Sequence, residues 1–371
     1  MFKEIGQKVF IIAEIGKNFI QTKEDKSVKE YLENAKALVD EAVAAGADAV
    51  KFQTHWVYDE QANIEVTSHH FAGSDRYSWI LRNMRATPVE EFWLPLKAYC
   101  ESRNIIFFST PMSRGAAKIL HERVGVDLWK IGSADILDFV MLDYIKGTQK
   151  PIILSSGMST IDEIARSVSF MNKGAQLDIA LLHCVSQYPC PPEDLNLSTI
   201  KFFFERFPFL SIGFSDHSIG IESSLIAVAM GARIVEKHFS MSRALWGSDH
   251  KVSLEPHELK SLVAGVRLLE KSPTQREVLL SSDFAQRSQG VARLSFSTEE
   301  AKFRPLFRKT LVAGQDIKAG SLILPDMLYA MRPQAYLGGM LSEEYEEVVG
   351  RTACVDIAKF SPITRPLVSQ Q

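Results

Sequence analysis

The chain has 371 residues, a formal net charge of −3, 46% apolar residues and 23% charged residues, a balance expected of a globular protein with about two domains, one of them large. That charge excludes a general nucleic-acid binder, which needs a basic face to displace counterions, so any anionic ligand has to be held by locally placed cations. Cys100, Cys184, Cys190 and Cys354 form neither a zinc spacing nor a disulfide framework, which predicts reduced thiols in a cytoplasmic setting, and the apolar run "VFIIA" is too short for a signal segment or a membrane span.

In chain order, short β-branched or apolar runs recur: "VFIIAEIG", "AVKFQT", "IIFFST", "LWKIGS", "PIILSSG", "IALLHC", "SIGFSD" and "IVEKHF". Each reads as a strand buried on both faces, and helical patterns lie between them. Over 29–45, Leu32, Ala35, Leu38, Val39, Ala42 and Val43 share one face, and Gly46 supplies a C-terminal cap. The next connection, 55–87, is unusually long and is predicted to form a lid or substrate wall. In "ATPVEEFWLPLKAYC", Thr87 reads as N-cap, Pro88 as the first helical residue and Glu90 as the partner in a capping box; Thr160 with Glu163, after Gly157, opens a later helix in the same way.

Eight alternations of strand and helix predict an α/β fold, a closed (β/α)8 TIM barrel. The rival, a doubly wound open sheet, would carry a glycine-rich phosphate turn after its first strand, and "EIGKNF" is not one. The barrel is expected over 1–285, a polar and unperiodic linker over 286–306, and a small, turn-rich, mostly β module over 307–371.

Active sites of such barrels lie where the strands end. In order the ends offer Glu14 and Asn18, Lys51 and Gln53, Ser109 and Thr110, Lys130 and Ser133, Ser155 and Ser156, then His183, Ser186 and Tyr188, then Ser215, Asp216 and His217, and finally Glu236, Lys237 and His238. His217 and His238 end neighbouring strands about 4.8 Å apart. Together with substrate or water oxygens they suit a divalent cation, Mn2+ before Mg2+ or Co2+; either alone would read as a satisfied core histidine. Lys51 and Lys130, among hydroxyls, read as a receptor for a phosphate-bearing anion, each pair worth up to about 4 kcal/mol at an effective dielectric near 20. Two other readings of these lysines stay open: a Schiff-base lysine as in class I aldolases, and a lysine paired to a structural glutamate, Glu14 or Glu236. In "VEKHF", Glu236 and His238 face the barrel mouth and Lys237 the helical ring, while His250 has no assigned role.

The ordered motifs "IIAEIG.N", "ADAVKFQT", "FFSTP", "WKIGSAD", "ILSSGMS", "LLHCVSQYP", "IGFSDHSIG", "VEKHF" and "GSDHKVSLEP" resemble the sialic acid synthases, the family of N-acetylneuraminate, pseudaminate and legionaminate synthases. "DIKAGSLI" and "RP" resemble its antifreeze-like (SAF) domain. The resemblance runs nearly end to end. It implies condensation of phosphoenolpyruvate with the open-chain aldehyde of an N-acylated hexosamine, with C–O cleavage and release of phosphate.

The roles so implied put phosphoenolpyruvate on Lys51, Thr110, Lys130, Ser133, Ser155, Tyr188 and Ser215, and the metal on His217 and His238. Glu14 and Glu236 would handle protons or touch the sugar, and Gln53 and Asp249 would contact the sugar. Arg332 would reach the mouth of the other subunit in a domain-swapped homodimer. Phosphoenolpyruvate carries roughly −2.5 to −3 charges near neutral pH, so two lysines and several hydroxyls are proportionate. Phe19 and Ile20 stand where the family has a polar pair, Ser186 where asparagine is common, and Ala134 where glycine is; "RPQAYLGG" departs from the frequent "RPG.GI". Phe19 and the 55–87 insert point to an acceptor such as a deoxy or di-N-acetylated hexose. An aldolase-type lyase and a non-catalytic sugar-binding protein are the rival functions.

Overall fold

The computed structural model describes residues 1–2, 8–66, 75–174 and 177–369, so 67–74 of the long connection lie outside the described residues. Eight parallel strands, β1 (Phe10–Gly16), β2 (Ala49–Thr54), β3 (Ile106–Pro111), β4 (Trp129–Ile131), β5 (Ile152–Ser155), β6 (Ile179–Cys184), β7 (Ser211–Asp216) and β8 (Ile234–His238), bond in the order β3-β2-β1-β8-β7-β6-β5-β4. The two end strands, β3 and β4, lie against each other, which makes a nearly closed barrel of the TIM type.

The period-2 alternation of a strand explains where the site forms. Phe10 and Ile12, Ala49, Phe108, Leu128, Ile153, Leu182 and Ile234 form one buried apolar cluster, separate from the larger one beneath the helices. Two residues further along each of these strands comes Glu14, Lys51, Thr110, Lys130, Ser155, Cys184 or Glu236. The barrel floor is therefore apolar and the next inward layer is polar.

Outside the barrel, helix Val28–Ala45 buries Leu32, Ala35, Leu38, Val39 and Ala42 on the predicted face, and Gly46 ends it in the left-handed region at φ 87°. The capping box of Thr160 and Glu163 forms as expected. The one expected at Thr87 does not. Thr87 follows helix Arg76–Ala86 and donates its hydroxyl to the Asn83 carbonyl at 3.0 Å, so the next helical turn begins at Val89 without a side-chain cap.

The stretch read as an unperiodic linker holds two helices, Asp283–Gln289 and Thr298–Phe307, joined by 290–297 without helix or strand. Its order comes from caps at Ser282 and Ser297, not from apolar periodicity. The small module follows, with β9 (Thr310–Ala313) and β10 (Leu328–Met331) antiparallel and a core that includes Leu311, Ile323, Leu328 and Ile363.

The module is bolted to the barrel by buried charge. Lys309 Nζ lies 2.7 Å from Asp138, 2.9 Å from Asp135 and 2.6 Å from the Met112 carbonyl. Arg332 pairs with Asp135, and Arg308 donates to the Met158 carbonyl at 2.6 Å and the Ser159 hydroxyl at 2.8 Å. Burial alone would raise the Asp135 pKa, but Arg332 and Lys309 hold it below the usual value near 3.8. Its contribution to stability is therefore present above about pH 3.8 and is lost as pH falls through the lower folded value. Lys309→Met leaves two buried carboxylates short of a partner and should cost roughly 3–5 kcal/mol in urea unfolding; a midpoint within error of wild type would show that the module is held by something else.

Candidate active site

A cavity of about 480 Å3 opens at the C-terminal ends of the strands. All fourteen residues singled out for a role line it: Glu14, Lys51, Gln53, Thr110, Lys130, Ser133, Ser155, Tyr188, Ser215, His217, Glu236, His238, Asp249 and Arg332. Register brings them together. Glu14 stands opposite Lys51 and His238, Ser215 opposite Glu236, and Gln53 opposite Thr110.

Lys51 is the hub. Its Nζ lies 2.7 Å from Glu14 Oε2, 3.7 Å from Glu236 Oε1 and 3.1 Å from the Thr110 hydroxyl. Glu236 Oε1 also lies 3.3 Å from Lys130 Nζ and accepts from the Ser215 hydroxyl at 3.1 Å. Both lysines are thus paired to glutamates in the cavity. The pairing also separates the two carboxyls. Burial, with Glu236 adding to it, raises the Glu14 pKa against the pull of Lys51. For Glu236, burial is outweighed by Lys130 and Lys51, which hold it well below the usual range. Burial lowers Lys130, whereas at Lys51 burial is outweighed by Glu14 and Glu236, which hold it high. Two carboxyls with opposed shifts are the pattern of an acid and a base in one site.

The His217 and His238 rings are 5.5 Å apart, with the Tyr188 ring 4.0 Å from the first. His217 Nδ1 lies 2.7 Å from the Val185 carbonyl, which assigns its proton there and leaves the Nε2 lone pair to the Tyr188 hydroxyl at 2.9 Å. His238 Nδ1 is buried with no hydrogen-bond partner among the described residues, and burial holds the ring neutral, its pKa lowered to about 3. His217 is oriented through the Val185 carbonyl, and burial there is outweighed by Cys184, which raises its pKa, whereas His238 is held neutral; the two ring nitrogens are the donor type a divalent cation takes. Among the described residues no third His, Cys, Asp or Glu completes a cluster, so such an ion would take its other ligands from substrate or water.

Further buried polar atoms without hydrogen-bond partners among the described residues gather here: Ser155 Oγ, Glu236 Oε2 and Arg332 Nε. Each orphan costs roughly 1–3 kcal/mol, a cost that bound ligand atoms would relieve.

Several expectations change. Phe19 and Ile20 do not face the cavity; both are buried in the core, Phe19 against Tyr31, Phe52 and Phe92. Arg332 lies at the mouth of this chain's barrel, its backbone amide donating to the Glu60 carbonyl and its carbonyl accepting from the Ala62 amide. Among the polar strand ends, Ser109 bonds outward to Thr54 at 2.8 Å, His183 donates to the Leu195 carbonyl at 2.7 Å and stacks on Phe214, and Asn18 bonds the Phe239 carbonyl. Lys237 turns away from the mouth, as expected, and pairs with Asp216 at 2.9 Å. His250 is a structural residue, with Nδ1 at 2.6 Å from the Ser240 hydroxyl.

The described part of the long connection does wall the cavity, through His55, Arg76, Trp79 and Ile80. Sequence reasoning also missed Lys17, which lies over the Trp79 ring at 5.5 Å, and Cys184, Phe303 and Phe307. Lys17 and Cys184 were readable, because both lie within a few residues of strand ends already in view; Phe303 sits in the stretch read as a linker and Phe307 at the first residue of the expected module.

A family model described as the NeuB family matches residues 38–277, and one for the SAF domain matches 308–368. The chain is 34% identical to an N,N'-diacetyllegionaminic acid synthase of Campylobacter jejuni, over 94% of this chain and 96% of that one. It is 31% identical to an N-acetylneuraminate-9-phosphate synthase of Drosophila melanogaster, over 97% and 96%. Among solved structures, the spore coat polysaccharide biosynthesis protein SpsE of Bacillus subtilis superposes with a TM-score of 0.75 at 29% identity, covering 98% of this chain and 96% of that one.

The buried imidazoles carry a pH signature. Burial lowers His183 to about 4 and His238 to about 3, so on acidification the unfolded chain, near 6.5, takes up protons that the folded chain refuses. Stability should fall as pH drops from about 6.5 to 4, by up to about 1.4 kcal/mol per pH unit for each such group, and NMR titration should find both rings neutral at pH 5. A charged imidazolium at either position at pH 5 would contradict this.

Proposed function

The chain belongs to the NeuB family and is an enzyme of the sialic-acid-synthase type, and from that premise we propose that it condenses phosphoenolpyruvate with an N-acylated hexosamine to give a nine-carbon 2-keto sugar acid and phosphate. The observation that carries this is the gathering of Lys51 and Lys130, a ring of hydroxyls and the unpartnered Ser155 Oγ and Glu236 Oε2 around one cavity.

Lys51 and Lys130 exchange part of their pairing with Glu236 for the phosphate and carboxylate of phosphoenolpyruvate, with Thr110, Ser133, Ser155 and Ser215 donating to the same oxygens. Tyr188 covers the site beside His217. A divalent cation such as Mn2+ on His217 and His238 would supply Lewis-acid polarisation of the acceptor aldehyde. The vinyl C3 attacks that aldehyde carbon, and Glu14, whose pKa burial raises against the pull of Lys51, serves as the group that donates a proton to the developing alkoxide. Glu236 accepts a proton at Oε2 from the water that adds at C2. The C2–O bond then breaks, and the bridging oxygen leaves with phosphate. Gln53, which donates to Glu14 Oε1 at 2.9 Å, and Asp249 orient the sugar hydroxyls.

Trp79, Ile80, Met112, Phe303 and Phe307 give the acceptor side an apolar wall, which suits N-acyl methyls and a deoxy position; this support replaces that of Phe19. We propose a homodimer as well. An exchange of modules would use the Arg308, Lys309 and Arg332 contacts between chains by redirecting 290–297, where Val291 and Leu294 are exposed. No described helix is long and apolar enough to cross a membrane, and operation in the cytoplasm, with its supply of phosphoenolpyruvate, is proposed.

A second reading has one observation in its favour: the lowered pKa of Lys130 is what a Schiff-base lysine needs. The decisive assay is phosphate release from phosphoenolpyruvate across a panel of N-acyl hexosamines, with and without EDTA, alongside borohydride trapping with pyruvate. The synthase reading expects release that EDTA abolishes and Mn2+ restores, and no trapped adduct. Trapping on Lys130, or no release with any sugar, would replace it.

A further inference from the structure

We propose that Glu300, on helix Thr298–Phe307 outside the barrel, is a positioning residue that fixes the loops after β5 and β6 in the arrangement that receives phosphoenolpyruvate; the inference rests on the reading of that site given above. Glu300 is fully buried and does not line the cavity, although its neighbours Glu299, Phe303 and Phe307 do. Its Oε1 accepts from two backbone amides in different loops, Met158 at 3.0 Å and Ser186 at 2.9 Å. Its Oε2 accepts from the Ser297 amide at 2.8 Å and pairs with Arg293. The carboxylate divides its two oxygens between these jobs, one accepting from the two loop amides and the other facing Ser297 and Arg293.

Both anchored residues lie on the cavity wall, and the space between them is filled. Gly157 donates its amide to the Ser133 hydroxyl at 3.1 Å, and a Cβ there would come within 2.3 Å of Ser186 Oγ and 2.7 Å of Ser133 Oγ. The loops after β4, β5 and β6 therefore meet at a point with no slack. Met158 is held from both sides, its amide by Glu300 and its carbonyl by Arg308 beyond the same helix. Ser186 is two residues from Tyr188, whose hydroxyl meets His217. A shift at the Ser186 amide moves Tyr188 and the Ser133–Gly157 contact together, and these surround the anion, not the far acceptor wall.

Two variants that each preserve much of the local chemistry separate positioning from a general structural role. Glu300→Asp keeps the charge for Arg293 but withdraws the carboxylate by about 1.5 Å, one C–C bond length. Glu300→Gln keeps the reach of the carbonyl oxygen to the two amides but gives up the charge. In the full chain, positioning predicts that the aspartate variant raises the KM for phosphoenolpyruvate about tenfold, with the acceptor KM within twofold, and that the glutamine variant stays within about threefold of wild type. A glutamine variant as impaired as the aspartate or worse, or both within twofold of wild type, would overturn the inference, because charge or bulk stability would then be what matters. If the wild-type chain releases no phosphate, the proposed reaction fails, and the anchoring is judged separately by amide hydrogen exchange over 157–160 and 185–188. Exchange at least tenfold faster in Glu300→Asp than in Glu300→Gln supports the anchor; equal exchange refutes it.

Discussion

Charges sealed in the mouth of a barrel must neutralise one another, and most of the site follows from how this chain does so. Lys51, Lys130, Glu14 and Glu236 are all nearly inaccessible. Removing each ion from water costs several kcal/mol, and a partner at about 3 Å returns roughly 5 kcal/mol at an effective dielectric near 20. The network is close to break-even as a source of stability. Its asymmetry makes it useful. Glu236 is shared by two ammonium groups, whereas Glu14 is pushed toward its protonated form. An incoming phosphate and carboxylate can take over lysine contacts that Glu14 and Glu236 now fill.

The barrel supplies only the floor and the inner ring of this site. The outer wall comes from three segments that converge from elsewhere: the long β2–β3 connection, helix Thr298–Phe307 and the small module. They are joined by the same rule of paired buried charge. His55 meets Glu60 at 2.8 Å, Arg332 bonds the Glu60 carbonyl through its amide and Asp135 through its guanidinium, and Lys309 shares Asp135. Asp135 follows closely on Lys130 at the end of β4, so the wall is tied to the strand that carries one of the two lysines.

The inner ring was legible in the sequence because a strand alternates. Once Ile12, Phe108, Ile153 and Ile234 are placed inward, Glu14, Thr110, Ser155 and Glu236 follow, and Lys237 must point the other way. The same rule shows why polarity alone over-reads the strand ends: in "FFST", Ser109 and Thr110 look alike, and only the inward register of Phe108 separates them. The outer wall was not legible. Glu300 and Phe303 lie in a stretch whose helix is set by the Ser297 cap and by tertiary partners, not by an apolar stripe. Phe19 misled for the opposite reason, since Lys17, two residues before it, lines the mouth while its own side chain joins the aromatic cluster beneath the helices. The order of Thr87 and Pro88 fits a capping box, yet the preceding helix claims the Thr87 hydroxyl first.

Whether this network serves the chemistry assigned to it is tested most directly by the fate of one oxygen. With phosphoenolpyruvate labelled by 18O at the oxygen bridging C2 and phosphorus, and an N-acyl hexosamine that supports turnover, cleavage of the C2–O bond sends the label into inorganic phosphate, while the keto oxygen of the sugar acid comes from water. That is the result predicted from Lys51 and Lys130 on the phosphate and Glu236 on the water. Label retained in the sugar acid would mean P–O cleavage and would contradict the account.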